Sequence, residues 1–541
     1  MRVASHSQLK AYAEQRISVG SEVRFAREGI PHGSAYRRDH MMAAETSGVR
    51  PDHVPQLHPR RWAALGVIAI SQLMVVLDAT IVNIALPSAR ADLGITVADQ
   101  QWVVTAYTLA FGGLLLLGGR IADYWGRKRT FMVGAVGFAA ASAVGGLATT
   151  GPLLFGARAL QGVFGALLAP ASLALLTVLF TEARERAKAF AVYGAIAGGG
   201  SAVGLLLGGV LTEYASWRWC LLVNIPIALL ALILAIPLVP ESKADGDTSY
   251  DIPGAVVVTL GLASLVYGFT EAAKPEKGWN SGTTWAFIGA GLALLVIFVL
   301  IERSSRNPLL PLRIVLDRNR GGAYLTSMLV GAGLFGAFLF LTLFLQNVLG
   351  YTPLKAGFAS LPTTVGVLIS AAVASSLLPR IGPKIPMLVG PVLAAAGMIS
   401  LRFIDLDTSF WAHLMPAQLL LGLGLGFTFV PLSSLALVGV PAHDAGAASA
   451  TLNATQQVGG SLGTALLNTI ATSAITAYIA SHLTANQPPS PQVQLEAQVD
   501  GYADAFTWAA GLILLAGVIT AVLIKVSKDD LPSGETAVHV G

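Results

Sequence analysis

The sequence predicts an all-α integral membrane protein with fourteen transmembrane helices. Three observations carry that prediction: a shortage of charge, a series of apolar segments long enough to cross a bilayer, and a one-sided distribution of Lys and Arg between them. Of 541 residues, 54% are hydrophobic and 12% charged, against about 25% charged in a soluble domain. Mean hydropathy is +0.66. These figures exclude a soluble enzyme, a nucleic-acid binder and a disordered scaffold, and they make the lipid bilayer the principal partner. The 58 glycines suit closely packed membrane helices. The net charge of +4 carries no nucleic-acid meaning when basic residues sit beside cytoplasmic membrane ends. Cys220 is the one cysteine, which excludes an intrachain disulfide, and no Cys/His cluster has metal-ligand spacing. No cofactor and no metal are expected.

Residues 1–61 hold ten Lys/Arg and six Asp/Glu without hydrophobic periodicity and read as a flexible cytoplasmic tail. No apolar h-region of a signal peptide precedes the first span, and Met41 and Met42 offer later starts. From Trp62 onward, apolar stretches of about 20 residues, the length a bilayer core demands, alternate with short polar breaks. Spans are expected near 62–86, 101–119, 130–149, 153–179, 190–211, 220–239, 253–270, 284–301, 322–346, 356–378, 386–404, 412–439, 452–480 and 504–525. With the N-terminus inside, the inner loops carry fifteen Lys/Arg (among them Arg120, Arg127, Lys128, Arg186, Lys188, Arg318 and Lys384) and the outer loops six (Arg90, Arg218, Lys274, Lys277, Lys355 and Arg402). That bias places both termini in the cytoplasm, as an even span count requires.

A duplication is visible. Gly165, Pro170 and Ser172 in span four recur as Gly426, Pro431 and Ser433 in span twelve, and Gly200/Gly204 in span five recur as Gly459/Gly463 in span thirteen. The common offset near 260 predicts an N-terminal six-helix bundle over 62–239, a linker with two extra helices over 240–321, a C-terminal bundle over 322–525 and a short cytoplasmic tail over 526–541. Paired helical repeats around a midplane site are a common transporter plan.

The most specific stretch is Gly118-Gly119-Arg120-Ile-Ala-Asp123-Tyr-Trp-Gly126-Arg127-Lys128-Arg129 between spans two and three. Its glycines permit a tight turn, its basic residues fix the loop inside, and Asp123 is expected on a facing helix N-terminus, where partial positive charge favours a carboxylate. This stretch resembles the signature loop of the major facilitator superfamily. Leu77-Asp78-Ala-Thr80-Ile81-Val82-Asn83-Ile-Ala-Leu86-Pro87, Arg158-Ala-Leu-Gln161-Gly162-Val-Phe-Gly165, Gly200-Ser-Ala-Val-Gly204-Leu205-Leu-Leu-Gly208-Gly209 and Trp217-Arg218-Trp219 with Asn224-Ile-Pro226 are similar to motifs of its fourteen-helix drug:proton antiporter branch. The resemblance covers nearly everything after Trp62. It implies the major facilitator fold, a conformational gate at Gly119, Arg120, Asp123, Gly126, Arg127 and Lys128, and an antiporter-type helix five at Gly200, Gly204, Gly208 and Gly209. One position departs: the antiporter motif carries proline where this chain has Leu205.

Independently of the resemblance, Asp78 and Arg158 are the clearest ionisable residues inside spans, and such residues are functional candidates by default. Counted from the outer ends of their helices, they lie about 12 Å and about 8 Å deep at 1.5 Å per residue. Tyr107 lies at a similar level, within reach through its hydroxyl. Desolvation and a nearby arginine act on a carboxylate in opposite directions, so an Asp whose partner changes can load and release a proton; a static pair fixing helix packing is the alternative. Asn83, Tyr107, Gln161, Gln346, Gln456 and Gln457 are candidates to line a substrate cavity; for Gln346, Gln456 and Gln457 an ordinary interhelical hydrogen bond is the other reading.

Gly459-Gly-Ser461-Leu-Gly463 fits a nucleophile elbow only in outline, because it lies within a helical run and that motif needs a strand-turn-helix setting. The chain is therefore expected to be no enzyme. No GxxxxGK[ST] occurs, so an ion gradient must supply the energy. The reading is a monomeric secondary transporter in a bacterial cytoplasmic membrane, exporting small, largely apolar drugs or antibiotics in exchange for protons. A proton-coupled importer or facilitator on the same fold is the alternative.

Overall fold

The structure is a computed structural model that describes residues 59–243, 251–274, 276–305, 308–310, 312–436, 438–440, 445–482 and 488–526. Most of the tails expected over 1–61 and 526–541, with Met41 and Met42, lies outside the described residues. Helices account for nearly all of the rest. In chain order the long ones are α1 (Arg61–Leu93), α2 (Trp102–Trp125), α3 (Arg127–Gly146), α4 (Gly151–Leu179), α5 (Ala183–Tyr214), α6 (Trp219–Leu238) and α7 (Ile252–Ala272). They continue with α8 (Gly282–Ser304), α9 (Arg318–Val348), α10 (Pro353–Ile381), α11 (Lys384–Leu401), α12 (Phe410–Leu435), α13 (Ala445–His482) and α14 (Pro491–Leu523).

Thirteen helices among the described residues are long and apolar enough to span a bilayer. The remaining one, α3, is 20 residues long and opens on Arg127-Lys128-Arg129, which dilutes its apolar character at one end. Connections α1–α2, α3–α4 and so on to α13–α14 lie at one end of the molecule, called the distal end below; the described chain ends lie at the other, the terminal end. There Arg318 at the start of α9 donates to the carbonyls of Val522 and Leu523 at the end of α14.

Helix limits differ from the expected spans for local reasons. α1 continues beyond 86 through Pro87, since a proline frees only one backbone carbonyl. It stops at Gly94, whose left-handed φ of 61° lets its amide cap the Arg90 carbonyl. α3 begins at Arg127 rather than 130 because Gly126, at φ 128°, turns the chain directly into a helix whose first amides find a carboxylate. α14 begins at Pro491 with Ser490 accepting from the Val493 amide; its polar first turns, with Glu496 and Asp500, extend it beyond the apolar run from which a span was read.

Packing repeats with an eight-helix offset. α1 lies on α5 and α6, α2 on α4, and α3 on α4 and α6; α9 lies on α13 and α14, α10 on α12, and α11 on α12 and α14. Small residues make these contacts close. A Cβ added to Gly118 would stand 1.9 Å from the Ala166 carbonyl oxygen, and one on Gly422 would stand 2.1 Å from that of Thr363. The duplicated serines even make the same bond, Ser172 to the Leu168 carbonyl (2.8 Å) and Ser433 to that of Phe429 (3.0 Å).

The extra helices form a hairpin. α7 packs on both α2 and α13, one from each bundle, while α8 is peripheral: 17% of its most apolar stretch is buried, against 67% in α2 and 72% in α9. At the distal end of α7, Glu271 is buried beneath Lys274 (2.5 Å) and Lys277. The hydrogen bond to Glu271 holds the Lys274 ammonium above its ordinary pKa range.

Candidate functional site

Asp78 stands buried in the middle of α1, an otherwise largely apolar helix, so its lone pairs have to be met by hydrogen-bond donors. Asp78 and Arg158 are 0% and 1% exposed. Arg158, projecting from α4, donates through Nη1 to Asp78 Oδ2 at 2.6 Å. Asp78 Oδ1 accepts from Gln161 Nε2 (3.0 Å), one turn further along α4, and from Asn224 Nδ2 (2.8 Å) at the start of α6. Both oxygens accept from donors, the pattern of a deprotonated carboxylate.

The arginine is equally committed. Its Nε donates to the Val103 carbonyl of α2 (3.0 Å) and its Nη1 to Gln161 Oε1 (2.7 Å). Its guanidinium carbon lies 4.5 Å from the Tyr107 ring centre, a cation–π contact. Ser142 of α3 closes the network by accepting from Gln161 Nε2 (2.6 Å) and Asn224 Nδ2 (3.3 Å). Five helices of the N-terminal bundle, α1, α2, α3, α4 and α6, therefore meet around one charge pair.

Three sequence expectations change here. Tyr107 joins through its ring face and not its hydroxyl. Gln161, expected in a substrate cavity, is fully buried and spends its amide on Asp78, Arg158 and Ser142. Ser142 and Asn224 were not assigned to the site; the signal for Asn224 was a lone polar side chain within an otherwise apolar helix. On the distal side of Arg158 a small cavity opens, lined by Val82, Val103, Arg158, Trp217 and Cys220.

The signature loop is built differently from expectation as well. Asp123 Oδ1 accepts from Arg127 Nε and Nη2 at 3.2 and 2.9 Å, a pair within its own loop and not a contact with a facing helix N-terminus. The helix N-terminus is that of α3, and Glu241 takes it: its two oxygens accept from the Lys128 and Arg129 amides at 3.1 and 3.2 Å. Lys128 Nζ donates to the Ile236 carbonyl (2.7 Å), tying α3 to the end of α6. Gly126 leaves room for Glu241, whose Oε1 would be 2.8 Å from an added Cβ. Arg120 bonds Tyr124 and reaches out of the bundle to the Pro308 carbonyl (3.3 Å). The tight approach sits at Gly118, whereas Gly119 has room for a methyl group, 3.6 Å from Pro170. Glu241→Ala should cost about 1 kcal/mol, the worth of a helix N-cap, read as a lower melting temperature of the purified carrier.

α5 runs as a continuous helix through Leu205, the position at which the antiporter motif carries proline. Gly200, Gly204 and Gly208 face Val76, Thr80 and Ile81 of α1, and Gly209 faces Leu354 of α10. The residues expected at the substrate cavity are dispersed along the inter-bundle helices. Gln346 donates to the Ile84 carbonyl (3.0 Å), the Gln456 carbonyl lies against Gly331 and Gln457 against Gly112. Asn83 Oδ1 and Gln457 Oε1 are buried without a partner.

Toward the distal end the halves are bonded together. Gln100 Nε2 donates to Asn468 Oδ1 (3.2 Å), the Thr108 and Ser461 hydroxyls lie 2.7 Å apart, and the Leu354 amide donates to Glu213 (3.0 Å). Ser461, set aside above as a nucleophile, is thus a bundle-to-bundle contact. The Gln101 amide reaches Thr270 of α7 at 2.7 Å and, turned to accept from it, donates to the Thr464 and Ala465 carbonyls of α13.

Comparison with known proteins agrees with this architecture. The chain is 51% identical over 86% of its length, and 92% of the relative's, to the puromycin resistance protein pur8 of Streptomyces alboniger. It is 36% identical over 88% of its length, and 95% of the relative's, to the cephamycin export protein CmcT of Amycolatopsis lactamdurans. Among solved structures, a bacterial homologue of the human lysosomal transporter Spinster superposes with a TM-score of 0.62 at 12% identity, covering 88% of this chain and 99% of that one. Residues 68–464 match the model of the Major Facilitator Superfamily. The twofold helical plan, the buried pair on α1 and α4 and these matches have one meaning: the chain is a membrane transport protein, not an enzyme, and belongs to the major facilitator superfamily.

Proposed function

We propose that this carrier exports small, largely apolar antibiotics across a bacterial cytoplasmic membrane in exchange for protons, with both termini in the cytoplasm. The observation that carries the coupling is the Asp78–Arg158 pair, fully buried and joined by four further hydrogen bonds to Val103, Gln161 and Asn224 of the N-terminal bundle. Buried intramembrane charge is expensive and marks a functional path. A small cavity touches Arg158 on the distal side of the pair, the side from which an external proton would arrive. Neutralising Asp78 frees Arg158 to lean on Gln161 and the Val103 carbonyl, loosens the meeting point of five helices, and so ties proton loading to helix rearrangement.

Export is the direction favoured by the resistance and export names of the relatives at 51% and 36% identity. The inter-bundle atoms Asn83 Oδ1 and Gln457 Oε1, buried and unpartnered, are acceptors open to a substrate hydroxyl or amine. The gate is the Arg120–Asp123–Arg127 loop at the terminal end, and the α5 glycines are the seam along which α1 slides. Puromycin is the first probe. In proteoliposomes with an imposed pH gradient, acidic on the distal side, its movement toward the distal side should accelerate and stop when an ionophore collapses the gradient. Puromycin transport indifferent to the gradient would overturn proton coupling, and accumulation in the proton's own direction would replace export by the importer reading.

A further inference from the structure

Two buried carboxylates outside the Asp78 network lie at the terminal end of the extra hairpin. α7 and α8 run antiparallel in a register fixed by their glycines. A Cβ on Gly268 would lie 2.7 Å from Ile288, and one on Gly261 3.1 Å from Leu294. The same register sets Asp251, the N-cap of α7, beside Glu302 near the end of α8. They are 7% and 3% exposed. Asp251 Oδ1 accepts from the Gly254 amide (2.9 Å) and Glu302 Oε2 from the Leu310 amide (3.0 Å). Asp251 Oδ2 and Glu302 Oε1 are both buried without a partner.

An unmatched carboxylate oxygen out of water is costly, and two like charges in one dry site are costlier still. The charged groups acting on Glu302 are Asp251 from α7 and Arg120 from the signature loop of α2; the Leu309 and Leu310 amides complete its surroundings. Among the described residues, one cation near two acids leaves an excess negative charge, and the cheapest way to remove it is a proton, which also gives one orphan oxygen an O–H to share.

We propose that Asp251 and Glu302 form a carboxyl pair that binds one proton at neutral pH and sets the hold on the gate arginine, Arg120. With the proton bound, Arg120 stays on the Pro308 carbonyl, in the segment that Glu302 itself anchors through Leu310. When the proton leaves to water at the terminal end, the doubly negative pair draws Arg120 off that carbonyl and frees the linker between the bundles. The pair is a second proton site, separate from Asp78 and placed on the extra hairpin.

The test is infrared spectroscopy of the full-length carrier in lipid nanodiscs, titrated with acid and base and read at the carbonyl stretch of a protonated carboxylic acid. Asp78→Asn serves as the background, so that Asp78 contributes nothing. A carboxylic-acid band shifting in heavy water should be present at pH 7, disappear in Glu302→Gln, shrink at least twofold in Asp251→Asn, and persist in Glu302→Asp, which keeps the group. A background without the band, or a band unchanged in Glu302→Gln while the protein remains monodisperse, overturns the proposal. So does a band that vanishes on adding sodium or magnesium ions, which would make the ligand a metal cation. In transport with Asp78 intact, Glu302→Gln should flatten the dependence of export rate on internal pH without stopping export, an outcome distinct from failure of the Asp78 reading.

Discussion

Asp78→Asn is expected to bring gradient-driven export down to the level of protein-free vesicles while leaving a carrier that folds. Asparagine has the shape of aspartate and still offers an oxygen to Gln161 and Asn224. Arg158 keeps the Val103 carbonyl, Gln161 Oε1 and the Tyr107 ring, so its charge is not stranded. What disappears is the carboxylate that the proposed coupling needs for proton uptake. Arg158→Ala is the harsher change: it leaves an acid facing only two amides, and breaking a buried pair costs about 3–5 kcal/mol, read as a fall in melting temperature and monodisperse yield. A purely architectural pair makes a different forecast. Replacing both residues together by Leu and Met would then preserve export, because well-packed apolar residues substitute for a buried ion pair at little cost. Robust gradient-driven export by Asp78→Asn, or by that double variant, would sink the coupling role.

The second large effect concerns packing. Gly118→Ala places a methyl carbon 1.9 Å from the Ala166 carbonyl oxygen, a backbone atom that cannot swing aside. α2 and α4 must separate, at about 3 kcal/mol by the upper range for overpacked cores, and the Asp78 network spans both helices. The thermal midpoint and export should fall together. Gly156 on the same α4 meets nothing within 4 Å; Gly156→Ala should change stability by no more than about 0.5 kcal/mol. Equal losses in the two variants would mean that the close approach to α4 is not what Gly118 supplies.

How much of this was legible in the sequence depends on the range of the interaction. Span number and the twofold plan came from hydropathy and from the recurrence of Gly, Pro and Ser at one offset, which are local signals. Asp78 and Arg158 were found because charge inside an apolar run stands out. Gln161 was misplaced and Ser142 missed because a small polar side chain on a membrane helix looks alike whether it faces a cavity, a neighbour or its own backbone; only the crossing of α3, α4 and α6 decides. Asp123 was misassigned for a related reason. The helix N-terminus that needed a carboxylate was three residues away in sequence, but its occupant, Glu241, lies more than a hundred residues along the chain. The Asp251–Glu302 pair escaped notice since each residue sits near a span end, where charge is ordinary; their burial comes from the hairpin register.

α7 has a consequence for how cargo arrives. The two bundles meet along two seams, α2 against α13 and α5 against α10. Because α7 packs on both α2 and α13, the first seam is roofed by protein over the length of that helix. Among the described residues the α5–α10 seam has no such cover, and there Gly209 and Gly357 let the opposing backbones touch. The carrier is symmetric in its folding plan yet one-sided toward the membrane, with its glycine-rich seam serving as the threshold.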